Sequence, residues 1–412
     1  MTGIDPRRQL LLELLQAGLA AVDGRRRTAA SLSRIAAGDT GARYHVAAVG
    51  KAACAMALGA QDALGARVLR MLIIAKDGHL QAGVADLRGV EVIESSHPLP
   101  DERSLLAGQR LCEFVAGIPA DVVPVFLISG GASSLVDVLA PGFTLQDLRQ
   151  LNATGLASGE DIGALNARRR TISALKGGGL TVRLNGRPAL ALFVSDVPGD
   201  DPAVIGSGIL GPAAAADPVP ADRVTRHVIA RIEDAMQAVA ARTRDLRTWV
   251  SDTRFSGDAD RLAVRLTHEL WLSEAQVCVW GGESVVRLPA RPGRGGRNQH
   301  LALAAARLIA GVDDLLFLAV GTDGTDGPTD DAGALVDGET CGRVTVAGLD
   351  VERCLATADS QPALEAAGDL VHTGPTGTNV GDLAVGLKLS TAQAQAWYQR
   401  HGARADDACG SC

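Results

Sequence analysis

The sequence predicts an α/β protein in which strands and helices alternate, so that most strands lie parallel and are joined by right-handed crossovers. Continuous apolar runs at 122–128, 189–194 and 315–320 are typical of strands buried on both faces of a sheet. Polar, glycine-containing loops follow these runs, and helical segments stand between them. The chain has 412 residues, too many for one typical core, and we predict two domains, 1–245 and 246–412.

The remaining elements follow from the same alternation. Asp5-Pro6 has the residue types of an N-cap and a first helical position, which predicts a helix to about Val22. Ala213 to Pro220 is rich in Ala and Pro and reads as a surface connection. The other predicted strands are 44–49, 69–75, 90–95, 275–280 and 284–288, and the predicted helices are an Ala-rich segment after Lys51, 101–115, 145–156, 162–175, 222–246, 258–272 and 299–310.

Bulk properties exclude several classes of protein. The net charge of −7 argues against nonspecific binding to nucleic acid. No apolar stretch approaches the roughly 20 residues that span a bilayer, and Met1 to Pro6 lacks the pattern of a signal peptide. The terminal Cys409-Gly410-Ser411-Cys412 has no second cysteine pair to complete a zinc site. We therefore expect a protein of the reducing cytoplasm without a membrane partner.

Lysine is rare in this chain, which has four Lys against 36 Arg (40 − 4). The lysines that are present can mark sites where a compact ammonium group is needed in place of a planar guanidinium. Lys51 lies directly after a predicted strand, at the N-terminus of a helix, where free NH groups and the helix dipole favour a phosphate. The residues around it do not form a Walker A loop.

Two loops in the C-terminal third, 321–331 and 374–382, consist almost wholly of Gly, Thr, Pro, Asp and Asn. Glycine NH groups at strand ends can cradle phosphate oxygens, and Asp323 offers oxygen ligands to Mg²⁺. The loops predict phosphate and metal chemistry at the carboxyl ends of parallel strands. The binding residues predicted in the second loop are Gly374, Thr376, Gly377, Thr378 and Asn379.

Two further polar loops follow buried strands of the N-terminal domain. The first, 129–134, offers NH groups and hydroxyls to a phosphate or carboxylate, and Leu135 stands where a nucleophile elbow requires glycine. The second contains Asp196, placed where metal ligands or a base commonly lie. The residues predicted to bind in the first loop are Ser129, Gly130, Gly131 and Ser133.

Two clusters of positive charge lie beside glycine-rich turns. Within 166–179, Arg169, Ser173 and Lys176 are spaced to share one face of a helix, where they could clamp an acid substrate together with Asn166. In 293–299, Arg297 and Asn298 open a helix, and Glu283 is near in sequence. Strand ends without a GxGxxG fingerprint weigh against a dinucleotide-binding dehydrogenase.

These segments resemble the class II glycerate kinases, the glycerate 2-kinase family with a C-terminal MOFRL domain. The resemblance runs from about residue 10 to 387 in family order. Departures occur at Arg169-Arg170-Thr171, Ser207 to Leu210 and Ala358-Asp359-Ser360. The segments that carry the resemblance are Val49 to Ala53, Ser96 to Asp101, Ser129 to Gly131, Asn166 to Gly178, Ser195 to Asp201, Gly295 to Gln299 and the two C-terminal loops.

The resemblance implies ATP-dependent phosphorylation of D-glycerate at its 2-hydroxyl, with Mg²⁺. It implies a Rossmann-like N-terminal domain with a mainly parallel sheet, a smaller α/β MOFRL domain, and an active site in the cleft between them. It points to Lys51 and Arg297 as catalytic residues, which would neutralise the transferred phosphoryl group. Asp196 or Asp323 would bind Mg²⁺ or orient the hydroxyl, so Asp196 is also a catalytic candidate.

Several alternatives stay open from the sequence. The acceptor can be D-glycerate or a related hydroxy acid, and either set of loops can hold ATP or the acid. A hydroxypyruvate reductase and a non-catalytic sensor of sugar acids or phosphate are the competing functions. A homodimer is also left open.

Overall fold

The computed structural model describes residues 5–158, 168–212, 222–243 and 245–401. The chain divides into two compact units. The parallel-sheet unit comprises Val22–Arg231 and Pro375–Val380, and the mixed-sheet unit comprises Met1–Ala21, Ile232–Gly374 and Gly381–Cys412. Within the described parts of the chain, every helix is too short or too polar to cross a bilayer.

The parallel-sheet unit contains a six-stranded sheet in the order β3-β2-β1-β4-β5-β6, with every neighbouring pair parallel. This order is that of a doubly wound, Rossmann-like sheet, so the predicted fold class is confirmed for this unit. The strands are β1 Arg43–Val49, β2 Val68–Lys76, β3 Val90–Ser95, β4 Val122–Ile128, β5 Ala189–Val194 and β6 Val224–Ala230.

Helices cover this sheet and bury its apolar side chains. Phe126 of β4, Phe193 of β5 and Phe114 of a crossover helix meet in one core, each at most 4% exposed. The α-helices are Gly24–Ile35, Ala53–Leu64, Glu102–Ala116, Ala132–Leu135, Leu145–Ser158 and Gly179–Arg183, and a further helical segment covers 168–172. Short 3-10 turns occur at Ala36–Gly38, Gly65–Arg67, Pro198–Asp200 and Ile205–Gly208.

The mixed-sheet unit contains a seven-stranded sheet in the order β12-β11-β10-β13-β9-β7, with β8 paired to β9. The pairs among β12, β11, β10, β13 and β9 are antiparallel, whereas β7 and β8 lie parallel to β9. The strands are β7 Thr248–Val250, β8 Phe255–Asp258, β9 Val277–Val285, β10 Leu315–Gly321, β11 Gly333–Asp337, β12 Leu370–Val371 and β13 Asp382–Lys388.

Two helices, Ala259–Leu272 and Arg297–Leu308, pack against this sheet through a core that includes Leu266, Leu301 and Phe317. The first is capped by the side chain of Asp258, which accepts from Arg261 N. The other helices are Pro6–Ala21, Ile232–Arg242, Thr340–Val346, Val351–Ala356, Ser360–Ala367 and Thr391–His401.

The division into units differs from the predicted single boundary at residue 245. Helix Pro6–Ala21 belongs to the mixed-sheet unit, where it packs on helix Ile232–Arg242. Arg8 of the first helix donates to Asp369 Oδ1 at 2.8 Å and also pairs with Asp337. Contacts between residues so far apart in the chain cannot be predicted from local sequence patterns.

Three sequence predictions were wrong in detail. The helix predicted for 222–246 is instead strand β6 followed by helix Ile232–Arg242, because the β-branched residues of β6 complete the edge of the parallel sheet. The strands predicted at 275–280 and 284–288 form one strand, β9, which continues through Gly281 and Gly282. A side chain on Gly282 would overlap the backbone of Phe255 in β8, so the paired strands require glycine there.

The third wrong prediction is the helix 162–175. Its described part is helical over 168–172, and Ser173 then forms a β-bridge to Leu139. Ser173 and Lys176 therefore do not share a helical face with Arg169. Asn166, predicted as a binding residue, the connection 213–220 and the C-terminal cysteines lie outside the described residues.

Candidate active site

Two polar loops of the parallel-sheet unit begin side by side, because β1 and β4 are neighbouring strands and each ends at such a loop. The strand order reverses between β1 and β4, which makes this the topological switch point of the sheet. Ligands of doubly wound proteins bind in the crevice that opens there at the carboxyl ends of the strands. The structure thus brings Lys51 and Ser129 together at the place where such a sheet binds its ligand.

Hydrogen bonds hold the two loops against each other. Lys51 N donates to Gly130 O at 2.9 Å, and Ser129 N donates to Val49 O at 3.0 Å. The Ser129 hydroxyl accepts from Ala52 N at 3.0 Å. Gly50 has φ +131°, and a side chain on it would overlap Ser129. Glycine is therefore required at position 50 by both its backbone conformation and the close approach of the second loop.

The side chains of Lys51 and His97 flank Gly131. A Cβ on Gly131 would lie 3.1 Å from Lys51 Cγ and 3.2 Å from His97 Cδ2, and Gly131 has φ +83°. The sequence contained His97 in a resembling segment but gave no role to it. Its place beside Lys51 at the switch point makes it a further polar group of this candidate site.

Asp196, at the end of β5, meets Asn379 from the second glycine loop. Asn379 Nδ2 donates to Asp196 Oδ2 at 3.0 Å. A side chain on Gly130 would overlap both the Asp196 carboxylate and the Asn379 amide. The structure therefore places Gly130, Asp196 and Asn379 in one cluster. Gly130 and Asp196 follow the neighbouring strands β4 and β5, so their proximity could be expected from the sheet, whereas that of Asn379 could not.

The segment 375–380 is part of the parallel-sheet unit, and contacts with the start of helix Gly24–Ile35 fix it. Gly377 O accepts from Gly24 N at 3.2 Å, and the Thr378 hydroxyl donates to Val22 O at 2.7 Å. Thr378 is 1% exposed. Thr376 accepts a backbone hydrogen bond from Thr378. These contacts give Gly377 and Thr378 a structural role beside their predicted binding role.

We expect Gly377→Ala to lower the free energy of unfolding more than Gly374→Ala does. Both glycines have positive φ, +77° and +63° respectively, so each substitution carries a similar backbone strain of ~1–2 kcal/mol. A Cβ at 377 would also lie 2.9 Å from Ala55 Cβ, whereas nothing lies within 4 Å of one at 374. Denaturant unfolding of both variants measures the difference, and equal losses would contradict the packing role of Gly377.

Lys176 is buried in an ion pair rather than exposed on a helix. Its side chain is 3% exposed and its ammonium pairs with Asp137, whose side chain is 1% exposed. The Ser173 hydroxyl donates to the same carboxylate. Burial lowers the pKa of the Lys176 ammonium, and Asp137 opposes that shift. Burial also lowers the pKa of Arg169, and the charge of Asp137 opposes that shift. Both cations therefore interact electrostatically with the same carboxylate.

The hydroxyl of Ser133, in the loop 129–134, contacts the hydroxyl of Ser207. Ser133 Oγ and Ser207 Oγ are 2.7 Å apart, and Ser207 is 5% exposed. Ser207 has φ +58°, a conformation that non-glycine residues rarely adopt and that often marks a functional segment. The sequence gave no role to Ser207 or Asp137, since neither belongs to a local motif.

In the mixed-sheet unit, Arg297 is held between two carboxylates. Its Nε lies 2.8 Å from Asp382 Oδ2 and its Nη2 lies 3.0 Å from Asp382 Oδ1, while Nη1 pairs with Glu283. Burial alone would lower the pKa of the guanidinium, but the charges of Asp382 and Glu283 outweigh burial and raise that pKa above its usual value. Arg297 is therefore a fixed positive charge at the start of its helix.

The two glycine-rich loops come together through antiparallel pairing, not at the carboxyl ends of parallel strands as predicted. Gly321, the last residue of β10, pairs with Asp382, the first residue of β13. Thr322 N and Thr322 Oγ1 both donate to Gly381 O, at 3.0 and 2.6 Å. The end of β10 thus lies beside the beginning of β13, and for that reason the loops that adjoin these two strand ends lie at the same edge of the sheet.

Asn298 links two carboxylates in this cluster. Its Nδ2 donates to Asp382 Oδ1 at 3.0 Å and lies 3.4 Å from Asp326 Oδ1. Burial raises the pKa of Asp326 to about 7. Asp323, the predicted metal ligand, accepts from Thr325 N at 3.1 Å. Asp326 and Asp382 lay within the quoted loops, but their partners could not be read from the sequence.

Comparison with known proteins agrees with this architecture. A family model described as a domain of unknown function, DUF4147, matches residues 10–242, and the MOFRL family model matches residues 276–382. A D-glycerate 2-kinase from Thermotoga maritima is 32% identical over 381 residues, covering 84% of this chain and 90% of that protein. A relative from Agrobacterium vitis is 34% identical, and the match covers 91% of this chain and 93% of that protein. That relative is named only provisionally, as a hydroxypyruvate reductase.

A crystal structure of a glycerate kinase from Thermotoga maritima superposes with a TM-score of 0.79 at 30% identity, covering 92% of this chain and 99% of that one. The matched domains and relatives span most of the chain. The protein therefore belongs to the glycerate 2-kinase family, in which a DUF4147 domain is followed by a MOFRL domain.

Proposed function

We propose that this protein is an enzyme that transfers a phosphoryl group from ATP to the 2-hydroxyl of D-glycerate, giving 2-phosphoglycerate. The observation that carries the proposal is the position of Lys51, whose side chain lies against the Gly130-Gly131 turn at the switch point of a doubly wound sheet. A lysine there can neutralise a phosphoryl group. The names of relatives such as the Thermotoga maritima D-glycerate 2-kinase support glycerate as the acceptor.

The proposed mechanism needs positioning and charge neutralisation, because the transition state of phosphoryl transfer is loose and the protein does little covalent chemistry. Lys51 supplies a compact positive charge, and the NH groups of Gly130 and Gly131 bind an anionic group of a substrate. Asp196, held by Asn379, orients the acceptor hydroxyl. Arg297 supplies a second fixed charge, whose direction Asp382 sets.

Mg²⁺ could be held by a single carboxylate in either group of loops. Mg²⁺ in nucleotide sites is commonly held by one or two carboxylates together with phosphate oxygens and water, not by an all-protein cage. Across residues 5–158, 168–212, 222–243 and 245–401, no cluster of three or more His, Cys, Asp or Glu could hold a metal ion. Asp196 and Asp323 are each suited to the single-carboxylate mode. When bound, Mg²⁺ would neutralise charge on the transferring phosphoryl group.

The predicted binding residues fall into two groups under this proposal. In the parallel-sheet unit, Gly130, Gly131 and Asn379 lie with Lys51 or Asp196 at the carboxyl ends of the strands, and Lys176 pairs with Asp137. In the mixed-sheet unit, Glu283 pairs with Arg297, and Asn298 donates to Asp382. Assigning one group to ATP and the other to glycerate remains a prediction.

The compartment and assembly are also part of the proposal. Cys54, Cys112, Cys278, Cys341 and Cys354 are free thiols, which fits the reducing cytoplasm expected from the sequence. The partner is a small acid. A homodimer stays a prediction of the sequence.

One pair of assays separates the proposed kinase from the competing reductase. ADP release is followed with ATP, Mg²⁺ and D-glycerate, and NADH oxidation is followed with hydroxypyruvate. We expect ADP release that needs both glycerate and Mg²⁺, and no NADH oxidation. NADH oxidation without ADP release would identify a reductase, and glycerate binding with neither reaction would identify a sensor.

A further inference from the structure

The helix that carries Arg297 begins without a cap of its own. The helix is Arg297–Leu308, and its N-cap residue is Gly296, which has no side chain to accept from the first NH groups. Asp326 supplies the acceptor from the neighbouring loop. Its Oδ1 accepts from Asn298 N at 3.1 Å and its Oδ2 accepts from Gln299 N at 2.7 Å. A carboxylate here satisfies two NH groups that a helix start otherwise leaves unpaired.

The approach of Asp326 requires glycine on both sides. A side chain on Gly296 would overlap the Asp326 carboxyl group. A Cβ on Gly327 would lie 2.7 Å from Gly295 O. Gly296 is in extended backbone that any residue can adopt, so the close approach of Asp326 is what favours glycine there. The two loops are thus fitted to each other around this carboxylate.

The Asp326 carboxylate is connected to the guanidinium of Arg297 through two side chains, Asn298 and Asp382. Asn298, which is 1% exposed, directs its amide group towards Asp326 and donates to Asp382. Asp382 in turn accepts from both Nε and Nη2 of Arg297. Displacing Asp326 would release the first helical turn, which carries both Arg297 and Asn298.

Asp326 can perform this function only when it is ionised. A neutral carboxyl group carries a proton on one oxygen, and that oxygen is then a poor acceptor for a second backbone NH. The charges that act on it are those of Asp382 on β13 and of Arg297 at the start of the capped helix. Asp323 and Asp331 belong to the same loop as Asp326, and Glu283 on β9 pairs with Arg297. Asp326 is 2% exposed, and burial with the charge of Asp382 raises its pKa to about 7, while the two NH groups and Arg297 oppose the shift.

We propose that Asp326 is a positioning residue, whose ionised carboxylate fixes the start of the helix and thereby the side chains of Arg297 and Asn298. The proposal rests on the phosphoryl transfer proposed above, because the rate depends on where the charge of Arg297 is held. A group that merely capped a helix would contribute to stability alone.

The test compares Asp326→Asn with Asp350→Asn. Asp350 caps helix Val351–Ala356 of the same unit by accepting from Arg353 N at 3.0 Å, so the control weakens an exposed carboxylate cap of another helix. We expect Asp326→Asn to lower kcat by about tenfold or more, since small displacements of a charge at a reacting centre have effects of this size. Asp350→Asn should keep kcat while losing some stability. Loss of stability without loss of kcat in Asp326→Asn would overturn the proposal.

The pH profile gives a second readout. The wild type should lose kcat as the pH falls through about 7, and Asp326→Asn should lack this acid limb. The folded protein binds more protons at Asp326 than the unfolded chain between about pH 4 and 7, because the pKa of Asp326 in the folded state lies above the ordinary 3.8. The contribution of this group to the free energy of unfolding therefore falls as the pH rises through that window. An unchanged acid limb in Asp326→Asn would contradict the proposal.

Hydrogen exchange of segment 296–303 tests the capping role of Asp326 without measuring turnover and without requiring that Asp326→Asn folds. Above about pH 7, and after correction for intrinsic rates, Gly296→Ala should show less protection of this segment than the wild type, because its side chain displaces the ionised Asp326. Equal protection in Gly296→Ala and the wild type would overturn the proposal. If the wild type releases no ADP with any hydroxy acid, the proposed function fails, and hydrogen exchange still decides whether Asp326 orders this segment.

Discussion

Replacing Lys51 with alanine is expected to lower kcat by about a hundredfold or more, as removal of one preorganised charge at a transition state typically does. Lys51 lies directly after β1, and its backbone NH is fixed to Gly130 at 2.9 Å, so its side chain starts from a rigid position beside Gly131. KM should change less than kcat, because the charge is needed most where negative charge is transferred.

Two further variants give this prediction its control. Lys51→Arg should restore little activity, because a planar guanidinium does not present the compact charge of an ammonium. Lys388→Ala removes a lysine from the end of β13 opposite Asp382 and should retain kcat. Near-normal turnover in Lys51→Ala would remove Lys51 from the catalytic groups.

Arg297→Lys is expected to lower kcat by roughly a hundredfold, and Arg297→Ala by at least as much. The guanidinium contacts Asp382 through two nitrogens and Glu283 through a third, a fork that an ammonium cannot reproduce. Arg297→Ala should also lower the free energy of unfolding by roughly 2 kcal/mol, because it removes a partner from a buried carboxylate. Asp382 is 0% exposed.

Arg343→Lys separates these effects. Arg343 pairs with Asp369 and Asp337 in the same unit, at 2.8 and 3.0 Å, so its replacement disturbs a comparable ion-pair network away from Arg297. We expect this variant to lose stability and keep kcat. If Arg297→Lys kept kcat as well, the contribution of Arg297 would be structural.

The parallel-sheet unit could be predicted well from the sequence, because its strands are continuous apolar runs bounded by polar glycine loops. The bounds of β4 and β5 were predicted to the residue. Strand β6 was missed because Val224 and Val228 are four residues apart, a spacing that also fits a helix, and its pairing with β5 decides between the two.

The mixed-sheet unit was predicted less well, because its architecture depends on antiparallel pairings between distant segments. Strand β10 was correct, but its partners β11 and β13 were not predicted. For the same reason the roles of Asp382 and Asp326 were missed: each acts on Arg297 or Asn298 from more than twenty residues away. Local glycine and aspartate patterns indicated which loops matter, whereas tertiary pairing determined which side chains meet.

The position of the phosphoryl group on the product distinguishes the proposed reaction from its alternatives. A substrate carboxylate anchored at a glycine loop, as we propose, would hold the adjacent C2 hydroxyl close to the anchor and favour in-line attack by that oxygen. The enzyme is incubated with ATP, Mg²⁺ and D-glycerate, and phosphorus NMR distinguishes the isomers of the product. We expect 2-phosphoglycerate, and formation of 3-phosphoglycerate or of no phosphorylated acid would contradict the proposed function.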